Sequence, residues 1–218
     1  MVDRRLEHAG LRRRRLLALL VGCAGAAAQA QLGTWDRHAG LLAQRDRLVD
    51  DWGLLRAGGL ALLLRHALAP GSSDPPGFRL GDCATQRNLD AAGRAQAMGA
   101  MLLAQAVPIA RVWHSRWCRC RDTARLGFDD RVPVAEWSGL DSVFEYQALH
   151  RRQAALAWHA RIEQEAVPGT NVVYVSHAAN IDDAYGIWLR EGEALLVRAA
   201  GTVAQALVAK LALAPKPV

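Results

Sequence analysis

Three predicted strands of this 218-residue chain end in side chains that can bind an anion or attack phosphorus. The strand 60–64 is followed by Arg65 and His66, the strand 109–114 by Ser115, and the strand 171–176 by His177. Arg119 lies four residues beyond Ser115. An imidazole nitrogen can attack phosphorus while guanidinium groups hold the phosphoryl oxygens. These residue types therefore predict phosphoryl transfer through a histidine.

The strands must bring these side chains to one place. The run Leu60–Leu64 is apolar throughout and follows Gly58 and Gly59, a pattern typical of a strand covered on both faces. Ligands of open α/β sheets bind beyond the carboxyl ends of the strands, where neighbouring parallel strands meet at one edge. Strands alternate with helices along the chain, which predicts a three-layer α/β/α sandwich with a mostly parallel sheet.

The remaining predicted elements fit the same order. They are a helix over 31–56, a turn-rich loop over 70–77, a helix from Asn88 or Asp90 to Gln105, helices over 115–126, 147–165 and 180–190, and a terminal hairpin of 194–198 with 202–213.

Four motifs in this order resemble the histidine phosphatase superfamily, also called phosphoglycerate mutase-like. They are R-H-A at 65–67, N-L-D-A-A-G-R-A-Q-A at 88–97, S-R-W-C-R-C-R-D-T-A at 115–124 and S-H-A at 176–178. The family has glycine at positions 67 and 178 and proline at position 116. The resemblance covers about residues 58–190 and implies the phosphoglycerate mutase-like fold.

The resemblance also implies roles for single residues. His66 would be the phosphorylated nucleophile, and Arg65, Arg119 and His177 would bind the phosphoryl group. The loop after His66 would face a small phosphorylated substrate through Ser72, Ser73, Arg79 and Arg87. The segment 82–89 is similar to exported bacterial members of the family. The implied activity is a phosphatase that needs neither metal nor cofactor and acts on a phosphomonoester or phosphoramidate.

The general acid is the main departure from the family pattern. Family members with a W-x-L-N-E stretch carry a glutamate where this chain has Ser142. Asp141 or Glu145 could protonate the leaving group, or both could simply face solvent. Without an acid, good leaving groups such as the nitrogen of phosphohistidine would be favoured. The alternative function is a protein of the same fold that binds an anion without turnover.

Residues 1–30 resemble an export signal. Arg12–Arg15 precede a short apolar run, and Ala28-Gln29-Ala30 fits a cleavage site. Leu20–Cys23 also fits a lipobox, so Cys23 could be lipidated, and the arginines weakly resemble a twin-arginine signal. We expect a periplasmic or secreted protein, with an inner- or outer-membrane lipoprotein as the alternative. A basic tail on a cytosolic protein is the other interpretation.

Charge and length limit the remaining possibilities. Six arginines against Asp3 and Glu7 give residues 1–30 a charge of +4 out of the net +6, so the rest carries +2. That small charge gives no argument for nucleic acid. The range 31–214 is expected to form one domain.

Three cysteines follow residue 30, and Cys83 is predicted to pair with Cys118 or Cys120 in an oxidising compartment. A zinc site that includes His114 is disfavoured because Cys118 and Cys120 form C-x-C, not the usual spacing.

Overall fold

The computed structural model describes residues 52–90, 99, 101–128, 131–202 and 206–212. All of these belong to one compact unit, Ala39–Val218. The helices are α1 (Trp52–Ala57), α2 (Cys118–Phe128), α3 (Ala148–Glu165) and α4 (Ala178–Tyr185), and the strands are β1 (Ala61–Arg65), β2 (Ile109–His114), β3 (Val134–Glu136), β4 (Asn171–Ser176), β5 (Glu193–Val197) and β6 (Leu207–Ala212). Residues 101–104 are also helical, and short 3₁₀ turns occupy Cys83–Thr85 and Ser138–Leu140.

The strands form one sheet in the order β3-β2-β4-β1-β5-β6. The first four run parallel to one another, β5 pairs antiparallel with β1, and β6 pairs antiparallel with β5. Arg65 pairs with Ser176 in register, and His114 pairs with Val175. Because β4 lies between β2 and β1, the ends of all three strands meet at one edge of the sheet.

The sheet has an apolar core on each face. Leu62 and Leu64 of β1 belong to one core, which also contains Ala124 and Phe128 of α2. The core on the other face contains Leu63, together with side chains of α3 and α4 such as Trp158 and Ile181. Successive side chains of a strand point to opposite faces, so an unbroken apolar strand fills both cores. This arrangement is the predicted α/β/α sandwich.

Local sequence explains the two helices on that second face. In α3, Ala155, Trp158 and Ile162 are buried at spacings of three and four residues. In α4, Ile181 and Ala184 are buried at the same helical spacing. The helix α4 ends where Gly186 adopts a left-handed conformation with φ of 68°. Glycine tolerates this conformation without a steric penalty, so it stops the helix there.

The structure shifts several predicted boundaries. β1 covers 61–65, not 60–64, and β6 begins at 207, five residues later than predicted. The helix predicted over 180–190 begins at 178 and ends at 185, because Gly186 terminates it. The three-residue strand β3 was not predicted, since a strand this short shows no clear apolar alternation.

Several sequence predictions lie outside the described residues. These are the export signal over 1–30, including Cys23, and most of the helices predicted over 31–56 and 88–105. Among the helices that the structure describes, none combines the length and the apolar character needed to cross a membrane.

Candidate active site

His66 and His177 follow two neighbouring strands, and the sheet register brings them together. The backbone N–H of His66 donates to the carbonyl of Ser176, which directly precedes His177. The centroids of the two imidazole rings are 5.6 Å apart. On the other side of β4, the N–H of Ser115 donates to the carbonyl of Val175. Both histidines are buried, so their environment, not bulk water, controls their chemistry.

The tautomer of His66 follows from its contacts. Its Nδ1 lies 2.8 Å from the carbonyl oxygen of Ala67. A carbonyl oxygen can only accept, so Nδ1 carries the hydrogen and Nε2 keeps its lone pair. Burial first, and then the nearby charges of Arg119, Arg65 and Arg87, lower the pKa of His66 to about 3, against the raising effect of the Ala67 carbonyl. Nε2 is therefore unprotonated at neutral pH and able to act as a nucleophile.

Arg119 lies in the first turn of α2 and connects His177 with Asp74. Its Nη1 donates to Asp74 Oδ1 at 2.9 Å, and its Nη2 lies 3.5 Å from His177 Nδ1. The Asp74 carboxylate also accepts from the backbone N–H of Arg87 and from Trp117 Nε1. Burial alone would raise the pKa of Asp74, but these donors outweigh it and the pKa is lowered. Arg119 thus forms a nearly buried ion pair at the edge of the site.

A chain of hydrogen bonds holds the other nitrogen of His177. Its Nε2 lies 3.1 Å from Ser115 Oγ, and Ser115 Oγ donates to Asp141 Oδ1 at 3.2 Å. Because Arg119 offers only donors, His177 Nδ1 must accept and Nε2 must carry the hydrogen. Burial and the neighbouring positive charges lower the pKa of His177 well below its ordinary value.

Two further arginines lie beside the histidines. Arg65 donates to the carbonyl of Leu189 and to Glu191 Oε1 at 2.8 Å. Arg87 donates to the carbonyls of Ala69 and Gly71. Burial lowers the pKa of Arg65 and of Arg87, and the mutual repulsion of the guanidinium groups adds to that effect. This density of positive charge favours binding of an anion with more than one negative charge.

Some hydrogen-bond donors of these arginines have no partner. The buried Nε atoms of Arg65, Arg87 and Arg119 form no hydrogen bond with any residue that the structure describes. A buried donor without an acceptor costs about 1–3 kcal/mol. A phosphoryl group, which has several acceptor oxygens, is a suitable ligand for donors of this kind.

Thr123 joins the first and third sequence motifs. Its Oγ1 accepts from the backbone N–H of Ala67 at 2.9 Å and donates to the carbonyl of Arg119 at 2.7 Å. One buried hydroxyl therefore links the residue after His66 to the helix that carries Arg119.

The predicted substrate loop divides into an inner and an outer part. Arg87 belongs to the cluster around His66, as its electrostatic effect on that imidazole indicates. Arg79 is exposed and pairs with Asp82. Ser72 and Ser73 are exposed, and their side chains form no hydrogen bond with other described residues.

A disulfide joins this loop to α2. Cys83, in the 3₁₀ turn of the loop, is bonded to Cys118, the first residue of α2. Gln86 reinforces the connection because its Oε1 accepts from the N–H of Cys118. Cys120 is a free, buried thiol, and burial raises its pKa to about 12. It is therefore protonated and a poor nucleophile or metal ligand.

Neither predicted acid is placed as a proton donor. The Asp141 carboxylate accepts from Ser115 Oγ, from the backbone N–H of Arg116 and from the Arg116 guanidinium at 2.6 Å. Since every contact to the carboxylate is a donor, it acts as an acceptor behind Ser115. Glu145 is exposed, and its side chain forms no hydrogen bond or ion pair within the described part of the chain.

Asp74 is the site residue that the sequence reasoning missed. It lies in the loop 70–77, which the turn residues marked as long enough to be functional. A single acidic residue between Ser73 and Pro75 has no sequence signature. Its contact with Arg119 depends on the path of the loop and on the disulfide.

Within the described ranges, no three His, Cys, Asp or Glu side chains are grouped as a metal site requires. His114 is buried, and its Nδ1 lies 2.8 Å from the carbonyl oxygen of Ser115.

Comparison with solved structures identifies the fold. The alpha-ribazole phosphatase from Shigella flexneri has a TM-score of 0.50 at 16% identity, over 70% of this chain and 96% of its own. The Rv3214 protein of Mycobacterium tuberculosis has a TM-score of 0.50 at 19% identity, over 71% and 98% of the two chains. A phosphoserine phosphatase from Entamoeba histolytica, solved with 3-phosphoglyceric acid, gives 0.49 at 13% identity, over 63% and 89%.

The chain has the histidine phosphatase fold. No protein-family model and no curated protein matches it. At these low identities the structural likeness establishes the fold, while the geometry of the described side chains carries the argument for function.

Proposed function

We propose that this protein is a metal-independent phosphatase that hydrolyses a small phosphomonoester or phosphoramidate through a phosphohistidine at His66. The observation that carries the proposal is the tautomer of His66. The Ala67 carbonyl fixes the hydrogen on Nδ1, and the lowered pKa keeps Nε2 unprotonated. A neutral imidazole among three guanidinium groups is suited to attack a phosphoryl group that those groups hold.

The proposed reaction has two steps. His66 Nε2 attacks phosphorus, an N–P bond forms and the bond from phosphorus to the leaving oxygen or nitrogen breaks. Water then attacks the phosphohistidine, the N–P bond breaks and inorganic phosphate is released. Arg65, Arg119 and His177 bind the phosphoryl oxygens in both steps, and the short distance between the two imidazole rings lets both contact one phosphoryl group.

His177 changes its charge in this scheme. The neighbouring guanidinium charges are among the causes that lower its pKa, after burial. A phosphoryl dianion would offset those charges and favour protonation at Nδ1. The hydrogen-bond chain through Ser115 to the Asp141 carboxylate would stabilise the resulting imidazolium.

The test compares the wild-type protein with His66→Ala on p-nitrophenyl phosphate in the presence of EDTA. We expect full wild-type activity with EDTA and loss of nearly all activity in His66→Ala. The matched control is His150→Ala, which removes an exposed histidine of α3 and should retain activity. Equal rates for wild type and His66→Ala, or inactivation by EDTA, would overturn the proposal.

The covalent intermediate can be detected separately. Rapid quenching with ³²P-labelled substrate should label wild type in an acid-labile, base-stable form and leave His66→Ala unlabelled. Binding of phosphate without any turnover or labelling would instead favour the anion-binding protein. A panel of sugar phosphates, phosphopeptides and phosphohistidine would then define the substrate class.

We also propose export of the chain, on the basis of the pattern in residues 12–30. The Cys83–Cys118 disulfide supports an oxidising compartment. N-terminal sequencing of the native protein is the test. A chain that begins after Ala30 is expected, a blocked Cys23 would indicate the lipoprotein, and an intact Met1 would refute cleavage.

A further inference from the structure

The proposed phosphatase lacks a glutamate at the position where the family carries its general acid, so the leaving group needs another proton donor. In the described part of the chain, three carboxylates contact the phosphate-binding side chains, either directly (Asp74 and Glu191) or through Ser115 (Asp141). They differ in the atoms they contact, and that difference selects one of them as the candidate proton donor.

Asp141 lies behind His177. Its contact runs through Ser115 to His177 Nε2, whereas Arg119 lies at the opposite ring nitrogen, Nδ1. Its carboxylate is also bound by the backbone and the guanidinium of Arg116. Because Asp141 acts on the ring nitrogen opposite Arg119, it supports the imidazole of His177 from behind.

Glu191 is held by Arg65. Its Oε1 lies 2.8 Å from Arg65 Nη2 and 4.0 Å from Arg87 Nη1. Arg65 Nη1 is bound to the Leu189 carbonyl. Glu191 therefore orients Arg65 from the side of the β4–β5 connection.

Asp74 has different surroundings. It follows His66 by eight residues. Its carboxylate accepts from Arg119 Nη1 and from Trp117 Nε1. Both of these side chains lie against His177, and the ring centroid of Trp117 is 5.4 Å from that of His177. One guanidinium thus separates Asp74 from His177. A phosphoryl group that binds Arg119 would compete with Asp74 for the same donors.

We propose that Asp74 is the general acid and base of the reaction, an inference that rests on the proposed phosphatase function. In the first step the Asp74 carboxyl gives its proton to the leaving oxygen as the P–O bond breaks, which releases a neutral alcohol. In the second step the Asp74 carboxylate takes a proton from the water that attacks the phosphohistidine. The acid is thereby regenerated, and each cycle consumes one water molecule.

The charge balance of the site explains how Asp74 acquires its first proton. In the described arrangement it accepts from the Arg87 backbone, Arg119 and Trp117, which keeps it ionised. A bound phosphoryl dianion draws away Arg119 donors and places a second negative charge beside the carboxylate. Two anions at one site raise the proton affinity of one of them, so substrate binding protonates Asp74.

Leaving-group dependence tests this role. Asp74→Asn should lower kcat/KM for an alkyl phosphate by about 10²- to 10⁴-fold, the usual contribution of a general acid. On p-nitrophenyl phosphate, whose phenolate leaves without a proton, the loss should stay within about tenfold. Asp90→Asn, which removes an exposed aspartate of the same loop region, is the matched control and should behave as wild type on both substrates.

Equal losses of kcat/KM on the two substrates in Asp74→Asn would overturn the proposal. If vanadate inhibition of that variant were also weaker, Asp74 would be a residue that only positions Arg119. Failure of the phosphatase proposal is distinguishable, because His66→Ala would then retain activity on both substrates. If Asp74→Asn does not fold, the dependence of rate on leaving-group acidity is measured in wild type and in Asp74→Glu instead. Both should show a weak dependence of rate on leaving-group acidity, and a steep dependence in wild type would also overturn the role of Asp74.

Discussion

Ser115 Oγ lies 3.1 Å from His177 Nε2 and donates its own hydrogen to Asp141. The serine comes from the end of β2, and the histidine from the end of β4. This contact fixes which nitrogen of His177 carries the hydrogen. It consequently determines which nitrogen faces Arg119 and an incoming phosphoryl group.

Removal of that hydroxyl should impair the reaction. Ser115→Ala deprives the His177 N–H of its acceptor, and we expect kcat to fall about tenfold, the loss of one buried hydrogen bond. Ser115→Thr, which retains the hydroxyl, should recover activity, and Ser142→Ala serves as the control at the serine that follows Asp141. Steady-state kinetics on p-nitrophenyl phosphate is the measurement. An unchanged kcat in Ser115→Ala would show that the contact does not position His177.

Arg119 should dominate binding of phosphate analogues. Arg119→Ala removes charged donors next to His177, so vanadate and phosphate inhibition should weaken by roughly 10- to 100-fold. Arg125→Ala removes an exposed arginine from the same helix and should leave both inhibition constants unchanged. Unaltered vanadate inhibition in Arg119→Ala would exclude this residue from the anion site.

Thr123 should matter for stability. Thr123→Val keeps the shape of the side chain but leaves the buried N–H of Ala67 without its acceptor. We expect the free energy of unfolding, measured in urea, to fall by about 1–3 kcal/mol. Thr123→Ser retains the hydroxyl and should lose much less. Similar losses in both variants would attribute the effect to packing and not to the hydrogen bond.

The disulfide should stabilise the chain by restricting the unfolded state. Cys83 and Cys118 are 35 residues apart, which corresponds to about 3–4 kcal/mol in the chain-entropy estimate. Dithiothreitol should therefore lower the thermal midpoint of the wild-type protein. The double variant Cys83→Ser with Cys118→Ser should start at a lower midpoint and show no response to the reductant. A wild-type midpoint that does not change after verified reduction would contradict this.

Stability should fall on acidification. The pKa of His66 is about 3 when folded and near 6.5 when unfolded, so between these values the unfolded state binds more protons. The stabilisation is present above pH 6.5 and is lost as the pH falls toward 3, with about 2 kcal/mol lost at His66 between pH 7 and pH 5. The lowered pKa values of His114, His159 and His177 act in the same direction.

Urea unfolding at several pH values measures this dependence. His66→Gln should flatten the slope of unfolding free energy against pH, whereas His150→Gln, at an exposed position, should leave it unchanged. An identical slope in His66→Gln and wild type would contradict the lowered pKa of His66.

Features that depend on local pattern were predictable from the sequence. Strands β2 and β4 have the predicted bounds, because short runs rich in β-branched and aromatic residues between turn signals favour strands. The convergence of His66 and His177 followed from topology alone, since parallel strands present their carboxyl ends at one edge. The four sequence motifs also showed that these residues occur along the chain in the order typical of the family they resemble.

The disulfide pairing and the carboxylate contacts depend on the direction of side chains, so only the tertiary structure decided them. Cys118 and Cys120 are two residues apart on a helix and point to different sides, so Cys118 reaches Cys83 in the loop and Cys120 packs into the core. Asp74 meets Arg119 because that disulfide and Gln86 fasten the loop to α2. The sequence alone predicted His66 as the nucleophile and placed it at one edge of the sheet, through local patterns and strand direction. The carboxylate partners were decided only by the folded path of a long loop, which no local periodicity encodes.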